Sequence, residues 1–304
     1  QDSKCDYSKP PFSVYDELVS IEKNRVRVIP SSMDLTTSIC EDGNFDIVID
    51  NWSKKKEDFA LIKDNVNVKD SVKQYVFISS AGMYIQNGLH PHTESDDVTP
   101  PDMNGARQVE VAIESSGIAF TFIRPQYIYG PNMNKWYLDY FFECVAETGT
   151  GDALKVLPLP APGDQLVSLT HIGDVSSLVA ATVNNPIAIN QGFNCGTDRF
   201  ISYNSLAYLA LRAMYDASPM SGGEKEATIH SKLEFAYYDP LILDKAEARK
   251  DKFPFRRETF VVSVDRAKKL LGWSPKHDLQ GDMLWLAKDF ISRKNDKDSR
   301  EKNL

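Results

Sequence analysis

The sequence predicts an α/β fold in which helices cover both faces of a doubly wound parallel sheet. Short apolar runs rich in β-branched residues recur through the first half of the chain, and segments with helical periodicity lie between them. Strands that alternate with helices in this order build a parallel sheet. From Trp136 onward the chain has an aromatic-rich amphipathic segment and Gly/Pro-rich loops. We therefore expect a smaller, mixed C-terminal lobe there.

The predicted elements follow one another along the chain. The predicted strands are residues 25–30, 45–51, 75–80 and 119–124. The predicted helices are residues 33–39, 56–71, 109–116, 136–147, 171–183, 203–215 and 263–271. The run FDIVIDN at 45–51 is typical of a buried parallel strand, because its β-branched residues end in polar ones where the C-terminal loop begins.

Cap residues set the bounds of several helices. Gly117 and Gly272 each follow a predicted helix and suit the left-handed C-cap position. Ser263 is expected to be an N-cap, and Asp174 suits the N-terminal end of its helix.

Three segments are predicted to lie outside helices and strands. Glycine and proline make residues 148–164 a loop, and residues 218–226 are polar and Gly-rich, as in an exposed insertion. Residues 292–304 are almost all polar or charged, which predicts a frayed or disordered tail.

The total charge and the cysteines exclude several classes of protein. The 304 residues carry a formal net charge of −8, with a pI near 5.2, which argues against strong nonspecific attraction to nucleic acid but leaves a local basic patch open. Four cysteines occur without a C-x-x-C pair, so the sequence signals neither a zinc site nor a redox dithiol, and we assign no metal ligand. No apolar run reaches the roughly 18–20 residues that span a bilayer.

The start of a dinucleotide-binding sheet is not recognisable in this sequence. Such a sheet begins with a strand, a Gly-rich turn and a helix, yet no G-x-G-x-x-G occurs and no strand–Gly–helix unit precedes Arg25. The first strand of this fold lies in the middle of the sheet, and its loss would expose unpaired edges. We expect the intact gene product to carry one more βαβ unit of roughly 30 residues, or another chain to fill the gap.

Four segments of the chain resemble the extended short-chain dehydrogenases and reductases, a group that includes NAD-dependent epimerases and dehydratases. These segments are ISSAGMY at 78–84, FIRPQYIYGP at 122–131, HIGDVSSLVAA at 171–181 and SVDRAKKLLGWSP at 263–275. We accordingly divide the chain into a Rossmann-like nucleotide-binding domain at 1–135, incomplete at its N-terminus, and a substrate or partner lobe at 136–291. Residues 165–200 of that lobe return to the sheet, and 292–304 form the tail.

The catalytic residues of that family are not all present. In the family a serine holds the substrate oxygen, a tyrosine moves the proton and a lysine lowers the pKa of the tyrosine. Ser80 lies at the serine position, but Asp102 and Ala106 lie at the tyrosine and lysine positions. A carboxylate and a methyl group cannot supply a phenol–ammonium pair. The sequence therefore argues against hydride transfer, and an NAD(P)-dependent epimerase or reductase acting on a small molecule is kept as an alternative.

A narrower resemblance covers nearly the whole chain. The segments KPPFSVYDEL, FDIVIDN, VFISSAGMY, RPQYIYGP, FNCGTDRFIS, YYDP and KFPFRRETF are similar to the chloroplast stem-loop-binding protein family. The resemblance implies a soluble protein of the plastid stroma that binds RNA, cleaves it weakly with a metal such as Mg²⁺, and accompanies plastid ribosomes or transcription complexes. A second alternative is a non-catalytic structural subunit of a larger plastid complex. The sequence leaves homo- or hetero-oligomerisation open.

Three groups of residues are candidates for the site. The catalytic candidates are Asp50, Ser80 and Asp102. The candidates for contacts to a nucleotide or NAD(P) are Asp50, Asn51, Ser79, Ser80, Arg124, Pro125 and Tyr127, which lie at or after strand ends, where open α/β sheets bind ligands. The candidates for RNA contact are the basic residues Lys54, Lys55, Lys56, Arg256 and Arg257. Each also has a purely structural interpretation, as a strand end, a turn or a core contact.

Overall fold

The residues that the structure describes form a four-stranded parallel sheet. The computed structural model describes Ser20 and residues 45–65, 71–133, 135–147, 155–217, 233–239 and 252–301. The strands of the sheet, in their spatial order, are β1 (Ile47–Asp50), β2 (Gln74–Ile78), β3 (Phe120–Pro125) and β8 (Gln191–Cys195). Every neighbouring pair is parallel. The predicted α/β fold and its strands at 45–51, 75–80 and 119–124 are therefore confirmed.

Among the described residues, the helices include six of the seven that the periodicity predicts. They are α1 (Lys56–Asn65), α2 (Gly105–Ser116), α3 (Asp139–Glu147), α4 (Ile172–Thr182), α5 (Tyr203–Ala217), α6 (Asp265–Leu271) and α7 (Leu279–Glu301). Gly117 and Gly272 end α2 and α6 with φ of 75° and 65°, as left-handed C-caps do. Asn104 begins α2, since its side-chain oxygen accepts a hydrogen bond from Arg107 N at 3.1 Å.

Side chains that alternate along the strands pack the two faces of the sheet separately. Tyr75 and Phe77 of β2 point to one face and pack with Val109 and Ile113 of α2. Val76, between them, points to the other face, whose core the residues of α4, α6 and β8 complete. Because successive strand residues point to opposite faces, one short run supplies both cores. Helices therefore cover both faces, as a doubly wound sheet requires.

A second core, rich in aromatic residues, lies beyond the sheet. It is built by α3, α5, α7 and the segment around Phe253 and Phe255. Phe141 and Phe142 of α3 and Tyr203 of α5 are fully buried within it. Three two-stranded sheets complete this part of the chain. They pair β4 (Ile128–Tyr129) with β7 (Thr170–His171), β5 (Lys155–Pro160) with β10 (Leu233–Tyr238), and β6 (Leu166–Val167) with β9 (Ile201–Ser202).

Two predictions about irregular segments are wrong. Within the predicted loop at 148–164, residues 155–160 form strand β5, in which Leu157 and Leu159 are buried. Its prolines suggested a loop, but proline is compatible with a strand that pairs along one edge. The predicted tail is helical through Glu301, because the residues after Ser292 continue α7 rather than fray.

Two cap residues differ from prediction. Helix α6 begins at Asp265, and Ser263 precedes its cap position while accepting a hydrogen bond from Asp265 N. The N-cap of α4 is His171, whose Nδ1 accepts from Gly173 N at 3.0 Å. Asp174 lies in the first turn of α4, as predicted, but it is not the cap: it is buried and accepts from the backbone nitrogens of the segment before α7.

Some predicted elements lie outside the described residues, namely those at 25–30, 33–39 and 218–226, and the division of the chain into domains stays a prediction. Among the helices that the structure describes, none is both long and apolar enough to cross a membrane.

Candidate functional site

Three of the candidate site residues lie at or just after the carboxyl ends of the sheet strands. Asp50 ends β1, Ser79 follows β2, and Arg124 lies near the end of β3. The strands are parallel, so these ends meet at one edge of the sheet. Ligands of open α/β proteins bind at this edge.

Asp50 holds the loop that follows β1. It is only 3% exposed, and its Oδ1 accepts hydrogen bonds from Trp52 N and Ser53 N, both at 2.9 Å. Its Oδ2 accepts from the Tyr75 hydroxyl at 2.8 Å. Burial, and then the charge of Asp50, raise the pKa of Tyr75 above its usual range. Both oxygens of Asp50 are thus engaged by the protein, while Asn51 beside it is exposed.

Glu110 is the centre of a buried ion cluster behind the candidate residues. Arg124 donates to both of its oxygens, from Nε at 2.9 Å and from a terminal nitrogen at 2.8 Å, and the Ser79 hydroxyl donates at 2.7 Å. Arg107 adds a further contact at 3.0 Å. A bidentate pair of this kind is strong and geometrically specific. Two of the predicted ligand contacts, Ser79 and Arg124, are therefore bound to a carboxylate of the protein itself.

The ion cluster continues through a tyrosine and an asparagine. Arg124 donates to the Tyr84 hydroxyl at 3.0 Å, and that hydroxyl donates to Asn194 Oδ1 at 2.7 Å. Burial raises the pKa of Tyr84 to about 12, while Arg124 acts in the opposite direction. The phenol is thus neutral at physiological pH. Asn194 Nδ2 donates to the carbonyl of His92, whose ring stacks on Tyr84.

The positions of the dehydrogenase residues lie in two short turns and at the start of a helix. Ser80 Oγ accepts from Gly82 N at 3.0 Å and begins a short 3₁₀ turn. Asp102 is exposed in another such turn, and Ala106 lies in the first turn of α2. Among the described residues, no hydrogen bond joins Asp50, Ser80 and Asp102. Their catalytic roles therefore stay a prediction.

The predicted contacts after β3 are part of the aromatic core. Pro125 is buried, and Tyr127 has a positive φ of 39°, a conformation that is rare for a large side chain. The Tyr127 ring packs edge-on against Tyr137 and Phe255, and its hydroxyl accepts from Arg256 N at 3.0 Å. Burial raises the pKa of Tyr127. Packing therefore occupies this ring on several sides.

The five basic candidates fall into two groups. Arg256 donates to the carbonyls of Gly82 and Tyr84 at 2.6 and 3.3 Å, so its guanidinium connects the C-terminal segment to the loop after β2. Arg257 donates to a neighbouring backbone carbonyl at 3.1 Å. By contrast, the side chains of Lys54, Lys55 and Lys56 are exposed.

A cluster that the sequence did not reveal lies at the start of α7. His171, His277 and Asp282 can each offer a ligand atom within 4.8 Å of the others. The two imidazole rings stack at 3.5 Å, and Tyr129 donates to Asp282 at 2.9 Å. Burial, and then His277, lower the pKa of His171. Because His171 Nδ1 already caps α4, metal binding through that nitrogen would cost the cap. These residues are too far apart in sequence for a spacing motif to identify them.

Comparison with solved structures identifies the fold of this chain. The chain has the fold of the NAD-dependent epimerases and short-chain dehydrogenases, and solved structures share it. A short-chain dehydrogenase/reductase superfamily protein from Agrobacterium tumefaciens with bound NAD is 14% identical, with a TM-score of 0.60 over 97% of this chain and 98% of that chain. RMD from Pseudomonas aeruginosa, complexed with NADPH, is 13% identical, with a TM-score of 0.59 over 91% and 96%. UDP-glucuronic acid 4-epimerase from Bacillus cereus is 16% identical, with a TM-score of 0.55 over 93% and 88%.

The sequence itself is similar to a particular chloroplast protein. The chloroplast stem-loop binding protein of 41 kDa b from Arabidopsis thaliana is 30% identical over 236 residues, which are 77% of this chain and 56% of that protein. The resemblance to that family, predicted from the sequence, is therefore confirmed. The chain spans little more than half the length of this relative. No protein-family model matches the chain.

Proposed function

We propose that this protein binds RNA in plastids and does so on a dehydrogenase scaffold that lacks dehydrogenase chemistry. The observation that carries the proposal is the 30% identity, over 236 residues, to a chloroplast stem-loop binding protein. The fold alone would not distinguish an enzyme from a binding protein, because one scaffold supports many functions.

The residues at the sheet edge support the loss of the family's usual reaction. Proton transfer in that family needs a tyrosine and a lysine, and this chain has Asp102 and Ala106 there. The hydroxyl of Tyr84, which lies near the serine position, donates a hydrogen bond to Asn194 Oδ1 and accepts one from Arg124. A phenol held in this way is not placed to serve a substrate.

The exposed lysines after β1 support the binding of a polyanion. Lys54, Lys55 and Lys56 lie at the ligand-binding edge of the sheet, and no ion pair joins their ammonium groups to another described residue. Phosphate contacts by lysine release counterions, which makes RNA binding sensitive to salt. Basic residues at this edge thus suit RNA despite the net charge of −8.

A salt series tests the proposal directly. A labelled hairpin RNA is titrated with the intact protein from about 50 to 200 mM salt. We expect affinity to fall as salt rises, with a logarithmic slope of about −2 if three phosphates are contacted. Absence of binding at the lowest salt, with the protein folded, would refute RNA binding.

Cleavage of RNA is a separate proposal. Hydrolysis at a metal-activated water needs free oxygen ligands, and Asp50 already accepts three hydrogen bonds. The exposed carboxylate among the three catalytic candidates is Asp102. Shortening of the hairpin with Mg²⁺ and its loss with a chelator, while binding persists, would support a weak endoribonuclease. Cleavage that the chelator leaves unchanged would contradict it.

Two alternatives have tests in the same experiment. Solved relatives of this fold carry NAD or NADPH, so NADP is added as a competitor. Binding of NADP without RNA binding would favour a small-molecule or redox role, although Asp102 and Ala106 do not suit hydride-transfer chemistry. Binding of neither, with co-purification of a large complex in high salt, would favour a structural subunit.

A further inference from the structure

Trp52 is an exposed aromatic side chain beside the three lysines. It is 57% exposed at the carboxyl edge of the sheet, two residues after Asp50, which ends β1. No ring contact or side-chain hydrogen bond joins its indole to another residue that the structure describes. An indole in this position has a face available to a flat ligand.

The loop that carries Trp52 is held from three sides. Asp50 Oδ1 fixes the backbone of Trp52 and of Ser53, and Asp58 Oδ2 accepts from the backbone nitrogens of the next two residues at 2.8 and 3.1 Å. The start of α2 packs closely against it, because a Cβ on Gly105 would lie 2.2 Å from the Lys54 carbonyl oxygen. A loop fixed in this way presents its side chains without a large ordering cost on binding.

The charges around Trp52 suit a phosphate backbone. The next three exposed side chains are Lys54, Lys55 and Lys56. Two acidic residues follow, but the Asp58 carboxylate is turned back onto the loop, which leaves Glu57 as the exposed neighbour. An aromatic face beside several lysines is the combination by which proteins hold single-stranded nucleic acid.

We propose that Trp52 stacks an unpaired base of RNA while Lys54, Lys55 and Lys56 contact its flanking phosphates. The inference rests on the proposed RNA binding and adds the part of the RNA that is recognised. Bases within a stem are stacked on their neighbours, whereas a loop base can leave the stack and lie on an aromatic ring. The site therefore selects the loop of a hairpin over its stem.

The experiment compares two probes and two tryptophans. The probes are a labelled hairpin with a single-stranded loop and a blunt duplex of the same stem sequence. Trp52→Ala is measured beside Trp285→Ala, since Trp285 is 40% exposed on α7 and serves as a matched control. Trp52→Phe retains a smaller ring. An unchanged urea midpoint shows that each variant is folded.

We expect Trp52→Ala to weaken hairpin binding by roughly 5- to 150-fold, the range that loss of one base–aromatic stack produces. Trp52→Phe should weaken hairpin binding by less than half as much as Trp52→Ala on a logarithmic scale. Binding of the duplex by Trp52→Ala, and binding of the hairpin by Trp285→Ala, should each change by less than about twofold. Neither interaction depends on stacking of a base on Trp52. Hairpin binding that Trp52→Ala leaves unchanged would overturn the stacking inference while RNA binding stands.

The lysines are tested by the salt slope. Changing Lys54, Lys55 and Lys56 together to alanine should reduce the slope by about 2, from 0.7 for each lost single-strand contact. A control triple change of three exposed lysines elsewhere, at Lys269, Lys276 and Lys288, should leave it unchanged. If wild type binds no RNA, the proposed function fails first. Trp52→Ala could instead leave RNA affinity unchanged and abolish a protein complex that survives nuclease treatment. That result would assign the surface to a protein partner.

Discussion

Among the described residues, two regions at the carboxyl edge of the sheet differ in whether their charged side chains are buried and paired or exposed and unpaired. In the ion cluster, Glu110 is fully buried and takes hydrogen bonds from Ser79, Arg107 and Arg124. In the loop at 51–56, three lysines and Trp52 are exposed, and their side chains have no ion pair with a described residue. Both regions lie beside the same helix, α2, since Glu110 is on it and Gly105 begins it.

The difference shows which polar residues are available for function. A buried charge must be paired, so the groups of the ion cluster serve the fold and cannot also bind a ligand at little cost. The loop gains no such pairing, and its charged groups are exposed at the position where this fold binds ligands. A polar residue at a strand end is therefore not sufficient evidence of a binding site. Its hydrogen-bond and ion-pair partners decide whether it is available to a ligand.

The largest effect is expected when the ion cluster is broken. Glu110→Ala leaves Arg124, only 7% exposed, without its carboxylate partner. The free energy of unfolding should fall by about 3–5 kcal/mol, because an unpaired buried charge remains. Urea unfolding measures the change.

A neighbouring glutamate provides the control for this test. Glu114→Ala removes a carboxylate whose side chain is 38% exposed and lies 3.5 Å from Arg107, and it should change stability by less than about 0.5 kcal/mol. Similar losses in Glu110→Ala and Glu114→Ala would mean that burial does not distinguish the two carboxylates.

A smaller effect is expected at the contact between the two regions. Gly105→Ala places a Cβ 2.2 Å from the carbonyl oxygen of Lys54, which is backbone and cannot rotate away. The loop or the start of α2 must shift, at a cost of about 1–3 kcal/mol. Hairpin RNA affinity should fall along with the unfolding free energy, since the shift displaces the loop at 51–56.

The matched control is Gly281, which lies in α7 with no atom near enough to meet an added Cβ. Gly281→Ala should raise the unfolding free energy by about 0.5–1 kcal/mol, because alanine favours a helix more than glycine does. If Gly105→Ala stabilises the protein in the same way, the close approach of the loop to α2 is wrong.

The smallest effect concerns a titratable group outside both regions. The pKa of His171 is lowered by burial and then by His277, so the unfolded chain takes up a proton at higher pH than the folded protein does. The stability from this group is present above pH 6.5, the ordinary pKa of histidine, and is lost as pH falls through the lower folded pKa. The group is partly exposed, so the loss should stay below about 1 kcal/mol.

The measurement compares wild type with His171→Asn from about pH 7.5 to pH 5. Asparagine retains an N-cap acceptor for α4 but does not titrate. The difference in unfolding free energy between the two proteins should decrease as the pH falls. A difference that is constant with pH would show that His171 does not couple folding to protons.

Local signals in the sequence predicted a large part of the fold. The strands that end in Asp50, Ile78 and Pro125 come from β-branched, apolar runs, and Gly117 and Gly272 end helices because left-handed caps favour glycine. The resemblance to the chloroplast stem-loop-binding proteins also came from the sequence alone. Strand and cap signals depend only on residues that are close in the sequence, so they can be recognised without the tertiary structure.

The partners of the candidate residues could not be predicted in this way. The sequence predicts ligand contacts at Ser79, Arg124 and Asp50 because they lie at or after strand ends. No local pattern shows that Glu110 or Tyr75 forms hydrogen bonds with them. The loop prediction at 148–164 failed for a similar reason, since β5 exists through its pairing with β10.

The sequence by itself thus determined the fold class, three strands of the central sheet, six of the described helices and the missing tyrosine and lysine at Asp102 and Ala106. Only the tertiary structure decided which polar groups are paired, because Tyr84 and Asn194 are 110 residues apart in the chain and meet only where parallel strands end together. It also decided that Trp52 and the lysines stay exposed, since exposure depends on what the rest of the chain covers.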